Sequence, residues 1–158
     1  MVLAPYPARI LPAWIDYNGH LRDAYYAVAL SLAIDDVMDQ LGLDAAYRAR
    51  TGCTLYTLEL HVHYLHEVKA SDDLLLETSV LDADHKRLHL GCRFACARVS
   101  EAVATGEAML LHVRQGDRPA SAAFPSAVEQ TLRSLKLADE ARAAWGPASR
   151  RIGLQRRS

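Results

Sequence analysis

The sequence predicts an α+β domain in which one long helix lies across the concave face of a curved antiparallel sheet of about five strands. Three observations carry that prediction. A single long stretch, Asp23 to Leu41, repeats its apolar residues at helical spacing. After Gly52 the period changes from helical to two and holds through four turn-separated strands with no helix between them, which implies antiparallel pairing. Helical spacing returns only after the last strand, at Ser126.

Taken in order, Arg9 to Ile15 is expected to form a short first strand, with Pro12 tolerated at an edge or bulge. In the long helix Tyr26, Leu30, Ala33, Val37 and Leu41 form the stripe, and Ala27, Ile34 and Met38 widen it. Asp23 suits the N-cap and Gly42 the residue just past the end. Up to Asp35 the helix is apolar or small on nearly every side, so it is predicted to be covered all round. Leu43 to Thr51 reads as a short helix or turn ending at Gly52.

Along the first long strand Tyr56, Leu58, Leu60, Val62 and Tyr64 are expected to face the core, with Thr57, Glu59, His61 and His63 opposite. Leu74, Leu76, Thr78 and Val80 open the second strand. Leu88, Leu90, Cys92, Phe94 and Cys96 share one face of the third, and Val103 to Val113 makes the fourth. Ser126 to Ala144 then reads as an amphipathic helix outside the sheet, with Val128, Leu132, Leu135 and Leu137 as its contacts. Residues 1–146 are read as one domain, and 147–158, with Arg150, Arg151, Arg156 and Arg157, as a flexible basic tail.

A chain of 158 residues is large enough for one well-formed core. Its 18 basic and 19 acidic side chains give a net charge of -1, which offers no electrostatic case for nucleic acid or an anionic membrane. Cys53, Cys92 and Cys96 have neither an even count nor CxxC spacing, so a reducing, cytoplasmic setting is expected. The proline-broken N-terminus has no apolar run long enough for a signal peptide or a membrane span.

The polar loop within Trp14–Tyr26, WIDYNGHLRDAYY, is where chemistry concentrates. Asp16, Asn18, Gly19 and His20 put a carboxylate, an amide and an imidazole just before a helix start, whose N–H groups favour negative charge. Asp16 can attack a carbonyl or deprotonate water, or it can serve as an ordinary turn or capping residue. Asn18 can bind a carbonyl or water, or simply tolerate a left-handed turn before Gly19. His20 can position Asp16 or substrate, or be held by the loop backbone.

The string Asp16-x-x-Gly19-His20, followed by Ala24 and Tyr26 at the opening of the long helix, resembles the hot-dog-fold acyl-CoA thioesterases of the 4-hydroxybenzoyl-CoA thioesterase type, over about residues 9 to 125. Together with the strand YTLELHVHYLHEV, it looks more particularly like the betainyl-CoA thioesterases of carnitine degradation. The chain departs from the general pattern in carrying Arg22 and Asp23 where Asn residues are common, so no substrate contact carries over from those positions.

The resemblance implies a hot-dog fold and hydrolysis of a small acyl-CoA, betainyl-CoA in the narrower case. It implies a homodimer or homotetramer with the active site between subunits. Asp16 falls on the family's catalytic carboxylate, with Asn18 and His20 as catalytic partners. Trp14, Gly19, Tyr26, Glu59 and Tyr64 are the expected substrate contacts, and Glu59 stands second to Asp16 as a catalytic carboxylate. Aromatic faces from Trp14, Tyr17, Tyr25, Tyr26, Tyr56 and Tyr64 would suit a quaternary ammonium; the same tyrosines also serve as core filling. Lys86, Arg87, Arg114 and Arg118 are candidates for the CoA phosphates or solvated surface charges. The resemblance implies no metal or cofactor; His61 and His63 share a strand face with Glu59, but His66 points the other way, and strand histidines at a subunit seam also pack and hydrogen-bond. Other readings are a thioesterase for another short or aromatic acyl-CoA, a hot-dog dehydratase, and a non-catalytic acyl-CoA-binding module. The dehydratase lacks a separate His–carboxylate motif, and the binding module has no need of a carboxylate at position 16.

Overall fold

The computed structural model describes residues 2–138, 140 and 141. In chain order the elements are β1 (Tyr6–Ala8), a 3-10 turn (Pro12–Trp14), α1 (Asp23–Gln40), α2 (Ala45–Thr51), β2 (Cys53–Tyr64), β3 (Leu74–Ala83), β4 (Arg87–Cys96), β5 (Val99–Arg114), β6 (Ala120–Ser121) and α3 (Ser126–Leu135). The sheet runs β1-β3-β4-β5-β2 with every pairing antiparallel, and β6 extends β5. This is the helix-in-sheet arrangement that the change of period predicts, and it has the hot-dog form.

The first strand lies earlier than expected. Tyr6–Ala8 pairs with β3, while Pro12 opens the 3-10 turn and removes that segment from the sheet. Proline supplies the fixed φ of a first helical position and no ladder N–H, so the residue read as a tolerated edge instead ends the strand.

Helix α1 buries Tyr26, Ala29, Leu30, Ala33, Ile34 and Val37 against the sheet. It ends at Leu41 and Gly42, whose φ of 73° is the left-handed turn that glycine adopts without strain. Arg22, not Asp23, holds the N-cap position, and the Asp23 carboxylate accepts from the N–H of Ala24 at 2.9 Å. The helix is not covered all round: Val28 and Leu32 are each 39% exposed, on a side of α1 that this single chain leaves open.

Strand β2 corrects the expected alternation. Its register against β5 steps between Thr57 and Glu59, so Leu58 is an extra, bulged residue. Leu60, Val62 and Tyr64 oppose Ala108, Gly106 and Ala104 on the core side as expected. Before the bulge the faces exchange, and Tyr56 opposes Leu111 on the outer side. The β4 face is as predicted: Leu88, Leu90, Cys92, Phe94 and Cys96 are all buried.

Helix α3 packs on β3, and its Val128 and Leu132 join the same buried cluster as α1. It stops at Leu135 rather than continuing toward Ala144. Lys136 forms a parallel bridge to Val80, and the N–H of Leu137 donates to the Val80 carbonyl at 2.9 Å. This segment covers β3 beyond the reach of β1, so β2 is the long strand left with an open edge among the described residues. Residues 142–144 of the expected helix and the 147–158 tail lie outside the described residues.

Candidate active site

The loop between the 3-10 turn and α1 is a tight antiparallel hairpin closed by a bridge between Ile15 and Leu21. The N–H of Asp16 donates to the His20 carbonyl at 2.9 Å, and the N–H of Gly19 donates to the Asp16 carbonyl at 3.1 Å. Gly19 has φ of 81°, the conformation that closes the turn.

Within this turn Asp16 Oδ1 accepts two backbone N–H groups, from Asn18 at 2.8 Å and His20 at 3.1 Å. The His20 N–H is the main cause holding the carboxyl below its ordinary value of 3.8; partial desolvation opposes it, and the Asn18 N–H adds to it. Both backbone bonds go to Oδ1, and the Asn18 side chain adds a smaller contribution to the same carboxylate.

The Asp16 loop forms one wall of a cleft of about 410 Å³. Tyr26 of α1, Tyr64 at the end of β2 and the strap 65–68 that follows β2 complete it. The strap is fastened to the loop by Leu21 N–H donating to the Val68 carbonyl at 2.7 Å and by a bridge between His20 and Lys69. Its far end is held by a forked ion pair in which Arg98 meets the buried Asp72 at 2.8 Å and also donates to the Glu67 carbonyl at 2.6 Å. Arg98 holds the Asp72 carboxyl below its usual range.

Tyr26 and Tyr64 meet edge to face at 5.1 Å, and the Tyr64 hydroxyl donates to the Asp23 carbonyl at 3.1 Å, which fixes its ring. Burial pushes the Tyr26 phenol up to about 12, so it stays a neutral wall of the cleft. The His20 ring contacts Glu67, with Nε2 at 3.1 Å from Oε2, and acts on Asp16 only as a smaller, electrostatic cause than the backbone N–H groups. The positioning of Asp16 expected from His20 is thus made by the His20 backbone.

Of the expected substrate contacts, the structure brings Asp16, His20, Tyr26 and Tyr64 into one cleft. Asn18 and Gly19 shape the turn without lining it. Trp14 stacks on Tyr25 at 5.2 Å instead of entering the cleft, Tyr17 is 96% exposed, and Tyr56 sits on the outer face. The expected six-membered aromatic cluster is therefore two rings. Glu59 opposes Met109 on the sheet face turned away from α1 and pairs with His61 at 3.0 Å, because the bulge at Leu58 sets the alternation that follows it. The helix start is also less open than expected. Ala24 N–H is taken by Asp23 and Tyr25 N–H by the Arg22 carbonyl, so Asp23 competes with any incoming oxyanion.

The four basic candidates lie far from Asp16 within the chain. Arg114 is paired with Cys53 at the opposite end of the sheet from Tyr64 and Ala104, about 30 Å away at strand rise. Lys86 and Arg87 lie at the β3–β4 turn, where Arg87 pairs with Asp84 at 2.6 Å, and Arg118 is in the exposed loop after β5.

Sequence reasoning missed Arg22, Asp23 and the strap residues His66 and Glu67 as cleft residues. The available signal was their position. HEV directly follows a strand whose far end carries Tyr64, and the polar loop must close against whatever follows that strand.

Residues 10–132 match the thioesterase-like superfamily. The chain belongs to that superfamily. It is 41% identical to a betainyl-CoA thioesterase of Pseudomonas aeruginosa, covering 97% of this chain and 96% of that protein. It is 42% identical to the L-carnitine dehydrogenase/betainyl-CoA thioesterase of Agrobacterium fabrum, covering 88% of this chain and 29% of that longer protein. Among solved structures, a Staphylococcus aureus protein in complex with CoA superposes with a TM-score of 0.78 at 27% identity, over 87% of each chain. For this thioesterase the Asp16 cleft is the candidate site, where the polar loop before α1 meets the strap after β2.

Proposed function

We propose that this thioesterase hydrolyses betainyl-CoA to glycine betaine and CoA, with Asp16 as the attacking carboxylate. The observation that carries the reading is a carboxylate whose backbone bonds all fall on Oδ1, in the same cleft as two fixed tyrosine rings. The near-full-length similarity to the P. aeruginosa enzyme supports the acyl group. A carboxyl held below its usual range is a weak base but a fully ionised nucleophile. In this reading Asp16 attacks the thioester carbon, the C–S bond breaks to release CoA thiolate, and water then cleaves the acyl-Asp16 anhydride to glycine betaine and the free carboxylate. The oxyanion develops near the positive end of α1 and Arg22, with Asp23 offsetting part of that field.

The reading includes a subunit pairing in the cytoplasm. Strand β2 has an open edge, and Leu58, Tyr64 and Leu65 on or beside it and Val28 and Leu32 on α1 are exposed apolar residues. A second copy adding its β2 antiparallel to this one continues the sheet. It also places the start of one β2 beside the end of the other. That geometry brings the partner subunit's Arg114 toward this chain's Tyr64, with the partner's Lys86, Arg87 and Arg118 on the same side. The 30 Å separation within one chain then becomes a short reach across two, where CoA phosphates would meet them. Leu58 is 57% exposed on that edge, so Leu58→Lys is expected to yield monomers by sedimentation and to lose turnover while keeping its melting temperature. A fully active monomer would overturn the shared site.

The direct test is thiol release from betainyl-CoA beside acetyl-, butyryl- and benzoyl-CoA. The expected result is the highest kcat/KM for betainyl-CoA. Turnover of benzoyl-CoA alone would move the assignment to an aromatic acyl group, and no turnover of any of the four would remove the reading.

A further inference from the structure

We infer that Glu67 is a specificity-determining residue, selecting a cationic acyl group by charge, and that its strap is braced for this purpose. The inference rests on the reading of the Asp16 cleft as the thioester site and concerns what that cleft admits.

Three observations converge on Glu67. First, its carboxylate lines the cleft with Asp16 and the rings of Tyr26 and Tyr64, and it is 72% exposed, so its charge is presented to an incoming group. Second, its position is fixed at both levels. Its backbone carbonyl accepts from Arg98, which is itself locked to Asp72, and the strap is tied to the catalytic loop by the Leu21–Val68 bond. Its side chain is turned by the contact with His20 at 3.1 Å. That contact engages Oε2 of Glu67 alone, and the side chain stays largely open to the cleft. Third, the neighbouring ring is equally fixed, because Tyr64 is tied through its hydroxyl to Asp23.

The chemistry of the selected group explains why both features are needed. A quaternary ammonium has no N–H and cannot form a directed hydrogen bond. It is recognised by an aromatic face and by a carboxylate within Coulomb range. CoA is a polyanion, so a carboxylate in the acyl cleft opposes CoA thioesters in general. That repulsion becomes an attraction only when the acyl group carries a positive charge. Glu67 thereby both favours the cation and disfavours neutral or anionic acyl groups of equal size.

The test compares betainyl-CoA with 3,3-dimethylbutanoyl-CoA, its neutral isostere in which carbon replaces the quaternary nitrogen. The readout is the ratio of the two kcat/KM values, in which CoA contacts and any general loss of activity cancel. Glu67→Gln is expected to lower that ratio by about tenfold, mostly through KM for betainyl-CoA, and Glu67→Lys to lower it further. Raising salt should shrink the wild-type ratio more steeply than that of Glu67→Gln, in which Asp16 and Asp23 are the remaining cleft anions with their own screened field. A ratio unchanged in both variants, with both substrates slowed alike, would make Glu67 a merely structural support of His20 and overturn the inference. That outcome leaves betainyl-CoA hydrolysis standing. Failure of the wild type to hydrolyse betainyl-CoA at all would instead strike the functional reading beneath it.

Discussion

Asp16→Asn is expected to lower kcat for acyl-CoA hydrolysis by about 10³-fold while leaving KM within a few-fold of wild type. Asparagine keeps the shape of the side chain and an acceptor oxygen for the N–H groups of Asn18 and His20, so the turn should persist. What it removes is the charged oxygen that attacks. The wild-type pH dependence carries the same signature. Because those N–H groups depress the Asp16 carboxyl, the reactive anion is present throughout the neutral range and is lost only as pH falls below 3.8. Activity limited by this group should accordingly show no acid limb near neutrality. Stopped-flow thiol release with both proteins measures the first expectation, and a kcat profile measures the second. Undiminished kcat in the variant would assign the attack elsewhere, and Glu67 then becomes the next carboxylate to replace, since Glu59 faces away from the cleft.

The parts of this fold that were legible in the sequence are those set by periodicity. The α1 stripe, the left-handed Gly42 and Gly52 and the buried face of β4 all follow from residue spacing and backbone freedom. Spacing fails where one residue is inserted or where two distant segments meet. The bulge at Leu58 reverses the faces of β2 on either side of it, and nothing local distinguishes Leu58 from an ordinary strand residue. The open side of α1 was illegible for a related reason: an all-apolar helix demands cover, yet the sequence does not say whether its own chain supplies it. At the candidate site, Asp16 could be singled out because its loop is contiguous. Glu67 was not, because its partnership with His20 spans two helices and a strand and exists only once β2 has folded back along the Asp16 loop.

The close approach of α1 to the sheet sets a second large effect, through a glycine that spacing alone does not explain. Gly106 in β5 opposes Val62, and a Cβ built there would lie 2.8 Å from Leu30 Cδ2 and 3.2 Å from Phe94 Cε2. Glycine weakens a strand, so its use here points to a need for close packing. Any withdrawal by either neighbour has to be made inside the core. Leu30 is 1% exposed and Phe94 is fully buried, with the Tyr26 ring 5.7 Å from Phe94 on the side toward the cleft. Gly106→Ala is therefore expected to cost about 2 kcal/mol, the overpacking penalty exceeding the gain from a stiffer unfolded chain. Thermal denaturation should show a fall of roughly 4 to 8 °C. The consequence extends to function, because Leu30 lies one helical turn beyond Tyr26. Relief of the clash by lifting α1 from the sheet carries the Tyr26 ring away from Tyr64, so KM for a cationic acyl-CoA should rise, and kcat should fall with it because the helix start beside the developing oxyanion moves too. An unchanged melting temperature would mean that Leu30 turns aside within the core, and the helix–sheet spacing would then not be what Gly106 protects.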